Sequence, residues 1–474
     1  MSSESAIISK VLLTIEQYKG SLSAFCCSIL LNEYNRKCDT FSRLFAWKSC
    51  LLTETLNIPS WELKLSASRA VYHLLKRNPE MAVPWSRLDA DNEFYMAPAG
   101  RGTPHSSTRP LLRIQNVADD PLSSHSAPIL GSTSGDSSGR TQDDGEMIDA
   151  IIFDVQRLFP GEAFFHDGSS AAHAAKRLLM TVLYTWCKCN PNVGYKQGIH
   201  EILGLVYLNM HRESVAVPCT EEYTADDRQI LSLYNIQYLE HDVFALFNRF
   251  MVSSGVACTF YETEARLMRS IESFNGLLMK VDQVIHYNLI TKLRLELPLW
   301  AIRFFRLLLL RELGNDLDVP ALLWDMFVAA ELTKPVGQTH LADLVICVTV
   351  TLLIHLKTEL MLCDFSEALL LLLHYPISTK MNLYPDFMWQ VFKDAYHLYL
   401  IRDKDLKLYE YGLKLNKMYN SRIRLNVSGS AMPSQSPKSS MDLPTLADTR
   451  VAKMHFEKDR LEMRLKKKAQ EILR

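Results

Sequence analysis

Residues 192–203 read NVGYKQGIHEIL: a glycine, a tyrosine, a glutamine two positions on, a second glycine, and then an apolar pattern. The preceding apolar stretch is closed by Cys189-Asn190-Pro191, and Gly194 lets the chain turn. Gln197 and Gly198 then begin a new helix, whose apolar face runs through Ile199, Ile202, Leu203 and Val206. Taken by itself, Gln197 is a helix-start residue that satisfies backbone N–H groups lacking a partner inside the helix.

The same helical spacing extends in both directions. Ile151, Asp154 and Leu158 recur at i, i+3 and i+7, and Leu178, Leu179, Val182 and Trp186 at i, i+1, i+4 and i+8. Val243, Leu246, Phe247 and Phe250 form another such face. The stretch LWAIRFFRLLLLREL, 299–313, is apolar on most sides and predicts one buried helix. Sustained alternation bounded by hairpin turns is missing, so strands are not expected, and no internal repeat suggests a solenoid. In IIFDVQRLFPGEAFF, 151–165, Asp154 and Arg157 share a helix face and Pro160-Gly161 ends the helix one turn later. The simplest reading of Arg157 is a charge that complements the helix dipole beside an i−3 carboxylate.

Composition removes several function classes. The chain has 474 residues, 22% charged and 48% hydrophobic, with net charge −1, so no bulk field points to nucleic acid or to an acidic membrane. Its ten cysteines include no Cys-x-x-Cys pair, which argues against a zinc site or a secreted disulfide framework and for reduced thiols in the cytoplasm. The start MSSESAIISKVLLTIEQYKG carries Glu4 and no basic run, so it is a poor signal peptide. The longest apolar run, Leu344–Leu356, is shorter than the roughly 18–20 residues of a spanning helix. The expectation is a soluble, intracellular protein.

Two stretches change character. Residues from about 97 to 145 and from 426 to 448 are dense in Ser, Gly, Pro and Asp and read as disordered, because they cannot bury enough apolar surface to offset their ordering entropy. In the tail, Val451, Met454, Leu461, Leu465 and Ile472 form a rough seam that Lys458 and Lys468 break. A solvated amphipathic helix fits this better than a coiled coil, and Lys466-Lys467-Lys468 reads as a solubilising end before a lipid contact.

Set in order, these segments resemble a known family. Arg43-x-x-x-Trp47 is similar to the opening motif of the TBC domain, which activates Rab-family GTPases. Ile151-x-x-Asp154-x-x-Arg157 resembles its second motif and Tyr195-x-Gln197-Gly198 its third. EHDVFALF (240–247) and LLWDMF (322–327) are similar to later family segments. DVQRLFPGEAFF, YKQGIHEIL and WAIRFFRLLLLREL look like the subgroup acting at Golgi and endosomes, which includes a retromer-associated animal member and fungal relatives. Two departures stand out: Ile199 replaces the commoner methionine, a tolerable apolar swap, and the insertion at 97–145 blurs the boundary before Ile151.

The resemblance implies an all-α fold of two helical subdomains over residues 38–400, after an N-terminal helical extension at 1–37. A C-terminal helix at 401–425, a disordered linker at 426–448 and the charged amphipathic helix at 449–474 would follow. Arg157 would be an arginine finger inserted in trans into the GTPase site, suited by fixed charge and planar donors to the charge developing on phosphate oxygens. Gln197 would be the second finger, its amide able to hold both the attacking water and a phosphate oxygen. Asp154 would hold Arg157 in place, with Tyr195 and Gly198 in support; the two flanking glycines would make room for the partner's backbone. Arg43 and Trp47 are expected to be structural, the indole buried and the guanidinium paired internally. Trp324 and Asp325 read the same way. Arg303 and Arg306 are equally readable as partner contacts or as internal ion pairs. His166 and His200 lack a Ser or Cys partner at any diagnostic spacing and read as surface or core histidines.

The chain would need no cofactor or metal of its own, since Mg²⁺ and GTP belong to the partner, a Rab/Ypt GTPase in its GTP form. A trafficking coat or retromer-like partner, and peripheral association with Golgi or endosomal membranes only through partners, follow from the subgroup likeness. Nucleic acid is not expected. The competing reading is a catalytically silent TBC-fold scaffold or adaptor. Which Rab is served is not legible, because selectivity is spread over both surfaces.

Overall fold

The computed structural model describes residues 3–37, 39–88, 92–94, 144–217, 223–314, 316–332 and 340–420. The disordered insertion expected over most of 97–145, the linker at 426–448 and the charged helix at 449–474 lie outside them. Among the described residues the fold is all-α; the single β contact is an isolated parallel bridge between Val215 and Asn235. No helix among them is long and apolar enough to cross a membrane.

The helix Ile199–Glu213 is the centre of the first part. Every residue from Ile199 to Met210 is buried, the polar His200, Glu201 and Asn209 among them. The helix Ser170–Cys189 packs along it and along the helix Asp144–Gln156. Ser169 caps Ser170–Cys189 by accepting from the Ala172 N–H, and Asn190 and Pro191 end it. Asp144–Gln156 begins inside the last two positions of the stretch expected as loop. Asp144 and Glu146 favour a helix N-terminus, Met147 and Ile148 already face the core, and Lys188 binds the Asp144 carboxylate at 2.9 Å.

The helix Asp318–Glu331 joins the later helices to the N-terminal ones, packing on Leu22–Leu30 and on Arg43–Lys48. Behind it, His340–His355 lies against Phe387–Leu400, and Glu264–Val281 against Asp405–Tyr419. The expected single helix over 299–313 is instead broken. A helix Pro298–Arg306 ends at Leu307, and Leu308 and Leu309 take left-handed backbone conformations, φ 49° and 66°. Leu307, Leu308 and Leu309 are all fully buried by this turn, where a continuing helix would face in several directions. The carbonyl of Leu308 freed by the break accepts from the Trp324 indole N–H at 3.1 Å. Burial of about 1.5–3 kcal/mol per leucine outweighs a left-handed cost of roughly 1–2 kcal/mol per residue.

Candidate functional site: a cleft between two polar segments

The helix Asp144–Gln156 delivers the first segment. Its last turn tightens, with i−3 bonds from the N–H groups of Arg157 and Leu158 to Asp154 and Val155, and Phe159 (φ 44°) turns the chain away. Asp154 points inward and Arg157 outward. Asp154 is 7% exposed, and its Oδ2 accepts from the Tyr195 hydroxyl at 2.7 Å. The Arg157 side chain is 59% exposed, with Nη2 a long 3.9 Å from Asp154 Oδ1. Asp154 therefore holds Tyr195 more closely than it holds Arg157. Burial raises the Asp154 carboxyl above its ordinary range, and the Tyr195 hydrogen bond opposes that.

Tyr195 belongs to the second segment, so this one bond ties the two together. With the Tyr195 proton directed to Asp154, the Tyr195 oxygen accepts from His200 Nδ1 at 3.1 Å. His200 is buried, and desolvation, helped by the positive charges of Arg311 and Arg157, lowers its pKa to about 3. The imidazole is thus neutral, a satisfied core histidine. His166 has its Nε2 2.7 Å from the Leu158 carbonyl.

The turn that presents Gln197 depends on its glycines for backbone as well as for room. Gly194 has φ 60° and its N–H returns to the Asn190 carbonyl, while Gly198 caps the helix Ile199–Glu213 at φ 99°. Both conformations are ones that side-chain-bearing residues rarely adopt. The half-buried Gln197 amide has no hydrogen-bond partner among the described residues. Its neighbour Lys196 is anchored, donating to the Tyr261 carbonyl.

Arg157 and Gln197 line one cleft of about 760 Å³, together with Asp154, Glu201, Arg303 and Arg311. Arg303 and Arg311 reach the same cleft from a later part of the chain. Arg303 is both paired internally and turned to the cleft: Nε meets the buried Glu312 at 2.6 Å and Nη2 the Leu373 carbonyl at 2.5 Å. Arg306 lies off the cleft lining, its Nε 3.3 Å from the Phe260 carbonyl and its guanidinium over the Tyr261 ring. Sequence reasoning passed over Arg311 and Glu201. Arg311 grips Glu201 with two bonds, 2.5 and 3.0 Å, and so ties the first turn after Gln197 to the segment that follows the helix Pro298–Arg306. The available signal was a lone glutamate within the apolar run 199–206, and an arginine directly after four leucines.

Arg43 and Trp47 stand apart from this cleft. Arg43 Nε meets both Asp325 oxygens at 2.8 and 3.1 Å, its Nη1 meets Asn209 at 2.9 Å, and the buried Trp47 indole donates to Asp325 at 2.7 Å. Trp324 is fully buried. Among the described residues no group of His, Cys, Asp and Glu could hold a metal ion.

Residues 132–361 match the Rab-GTPase-TBC domain family. The chain is 25% identical over 258 residues to TBC1 domain family member 5 of Mus musculus and 24% over 257 to that of Homo sapiens, in each case 49% of this chain and 30% of the relative. It thus spans about a third of the length of these relatives. A homolog B of the same protein in Dictyostelium discoideum is 31% identical over 101 residues, 21% of this chain and 9% of the relative. In three dimensions the chain is similar to the Ypt/Rab-GAP domain of Gyp1p, with TM-score 0.52 and 15% identity over 84% of this chain and 99% of that one. Fold, ordered motifs and family match agree on an all-α TBC Rab-GAP domain, matched over residues 132–361.

Proposed function

We propose that this chain is a GTPase-activating protein for a Rab/Ypt small GTPase, with Arg157 and Gln197 entering the partner's nucleotide site. The observation that supports this best is their placement. Two side chains with unfilled hydrogen-bonding capacity line one cleft, and the Asp154–Tyr195 bond behind them holds their segments together. The exposed guanidinium brings fixed positive charge to where negative charge builds on phosphate oxygens. The Gln197 amide brings a donor and an acceptor for the attacking water. The chain needs no cofactor for this, because Mg²⁺ and GTP arrive with the partner. Action at Golgi or endosomal membranes, reached through the GTPase and a coat or retromer-like partner, belongs to the same proposal and rests on the subgroup likeness of 154–165, 195–203 and 300–313.

GTP hydrolysis measured across a panel of Rab proteins, with wild type, Arg157→Ala and Gln197→Ala, tests the reading. Acceleration of at least one Rab is expected, with about 10²–10³ lost on removing the amide, as for other single transition-state donors. Acceleration that survives both substitutions would overturn the two-residue mechanism, and binding without acceleration on every Rab would establish the scaffold reading instead.

A further inference from the structure

Phe153 precedes Arg157 by four residues, so the two side chains share a face at the end of the helix Asp144–Gln156. The ring is 58% exposed, far more than a core phenylalanine would be. The Arg157 guanidinium carbon sits 3.5 Å from its centroid, well within cation–π range. Arg157 Nε also approaches the Phe153 carbonyl at 3.3 Å. That carbonyl loses its usual helical partner because the Arg157 N–H bonds one residue later, to Asp154. With Nη2 3.9 Å from Asp154, three contacts draw the guanidinium back onto its own helix. A group that must extend into another protein has to leave all three.

We infer that Phe153 is a positioning residue that holds Arg157 in a resting pose, stacked on its own helix and released only when a GTPase docks. This rests on the reading of Arg157 as the inserted arginine. The held pose keeps a flexible, exposed cation in one place between encounters and makes its release part of each activation event. Each contact is weak, so release is readily driven by docking, yet the resting pose must slow activation measurably. Direct packing of the Phe153 ring on the GTPase is the competing explanation of its exposure, and it has the opposite kinetic signature.

The test combines a substitution series with a spectroscopic readout on the full chain. Phe153→Trp, Phe153→Tyr and Phe153→Leu are compared with wild type for kcat and KM on the Rab that the panel identifies. Holding by the ring predicts that kcat/KM rises about two- to five-fold in Phe153→Leu, the range of one exposed cation–π contact. It should fall below wild type in Phe153→Trp, whose ring binds cations best, with KM no higher in Phe153→Leu and the unfolding midpoint unchanged throughout. In ¹⁵N-arginine-labelled protein without GTPase, the Arg157 Nε–H resonance, assigned by its loss in Arg157→Lys, should be ring-current shifted upfield and return in Phe153→Leu. A fall or no change in kcat/KM for Phe153→Leu, or an unshifted resonance, overturns the proposal; a fall carried by raised KM establishes direct packing. Arg157→Ala run alongside separates the two levels. If it abolishes acceleration while the Phe153 series is flat, the resting pose fails and the finger reading stands. If it leaves acceleration intact, the finger reading fails and this proposal with it.

Discussion

Arg43 and Arg157 are two motif arginines, each beside an aspartate that also accepts from the polar hydrogen of an aromatic residue, Trp47 for Asp325 and Tyr195 for Asp154. In the fold they part company. Arg43 is 12% exposed and meets its aspartate at 2.8 Å, whereas Arg157 is 59% exposed and stands 3.9 Å from its own. Around Asp325 the donors converge: Arg43 and Trp47 both point at one buried carboxylate. Around Asp154 the nearest donor is Tyr195, and the arginine is left over. A guanidinium whose hydrogen bonds are filled at home holds helices together; one left exposed over a cleft keeps donors for something else. The contrast supports the different roles proposed for the two arginines.

The sharpest way to break this contrast is to remove each arginine's function separately. Arg157→Ala should cost about 10³–10⁵ of GTPase acceleration, roughly 4–7 kcal/mol of barrier, with the urea midpoint unmoved. Should stability fall instead, the exposed arginine is structural after all. Asp325→Ala is the mirror experiment. It strands the Arg43 guanidinium and the Trp47 N–H in the interior and should cost about 3–5 kcal/mol of folding stability, read by equilibrium unfolding. Acceleration per folded molecule should stay near wild type, because the cluster does not line the cleft.

Tyr195→Phe tests the region between these extremes. It leaves Asp154 without its shortest hydrogen bond and His200 without the hydroxyl oxygen, for about 1.5–3 kcal/mol of stability. It should also lower kcat with little change in KM, since the substrate-facing groups remain. The most gradual effect is in acid. His200 and His355 are held neutral by burial, with pKa values lowered to about 3. Their folded values lie below the unfolded one near 6.5, so this contribution is whole above about pH 6.5. It is lost as pH falls from there towards 3, by up to about 1.4 kcal/mol per pH unit for each histidine. Stability curves of wild type and His200→Leu at pH 5–7 should differ in slope by one proton, and equal slopes would mean that His200 is not buried in its neutral form.

Much of this was legible in the sequence. Helical spacing through 151–158 and 178–186 marked real helices, since their buried faces follow the 3.6-residue period. The ordered Asp-x-x-Arg and Tyr-x-Gln-Gly segments pointed to residues that line one cleft. The break at Leu307 was not legible, because strong helix formers fill the stretch and only Trp324, from a later helix, supplies the partner for the Leu308 carbonyl. Arg311 was hidden for a related reason. Its partner Glu201 lies 110 residues away, and no local pattern encodes a contact of that range. The turn expected at Gly194 is there, with φ 60°, whereas the φ of 99° at Gly198 adds a backbone reason to the room that its missing side chain makes.

The bond from Tyr195 to Asp154 spans 41 residues of chain and 2.7 Å of space. It ties together the two backbone segments that carry Arg157 and Gln197. The relative placement of those segments is settled when the chain folds, so that share of orientational entropy is already lost before any partner arrives. Groups joined in this way act as a unit, so losses on removing them singly should not multiply when both are removed.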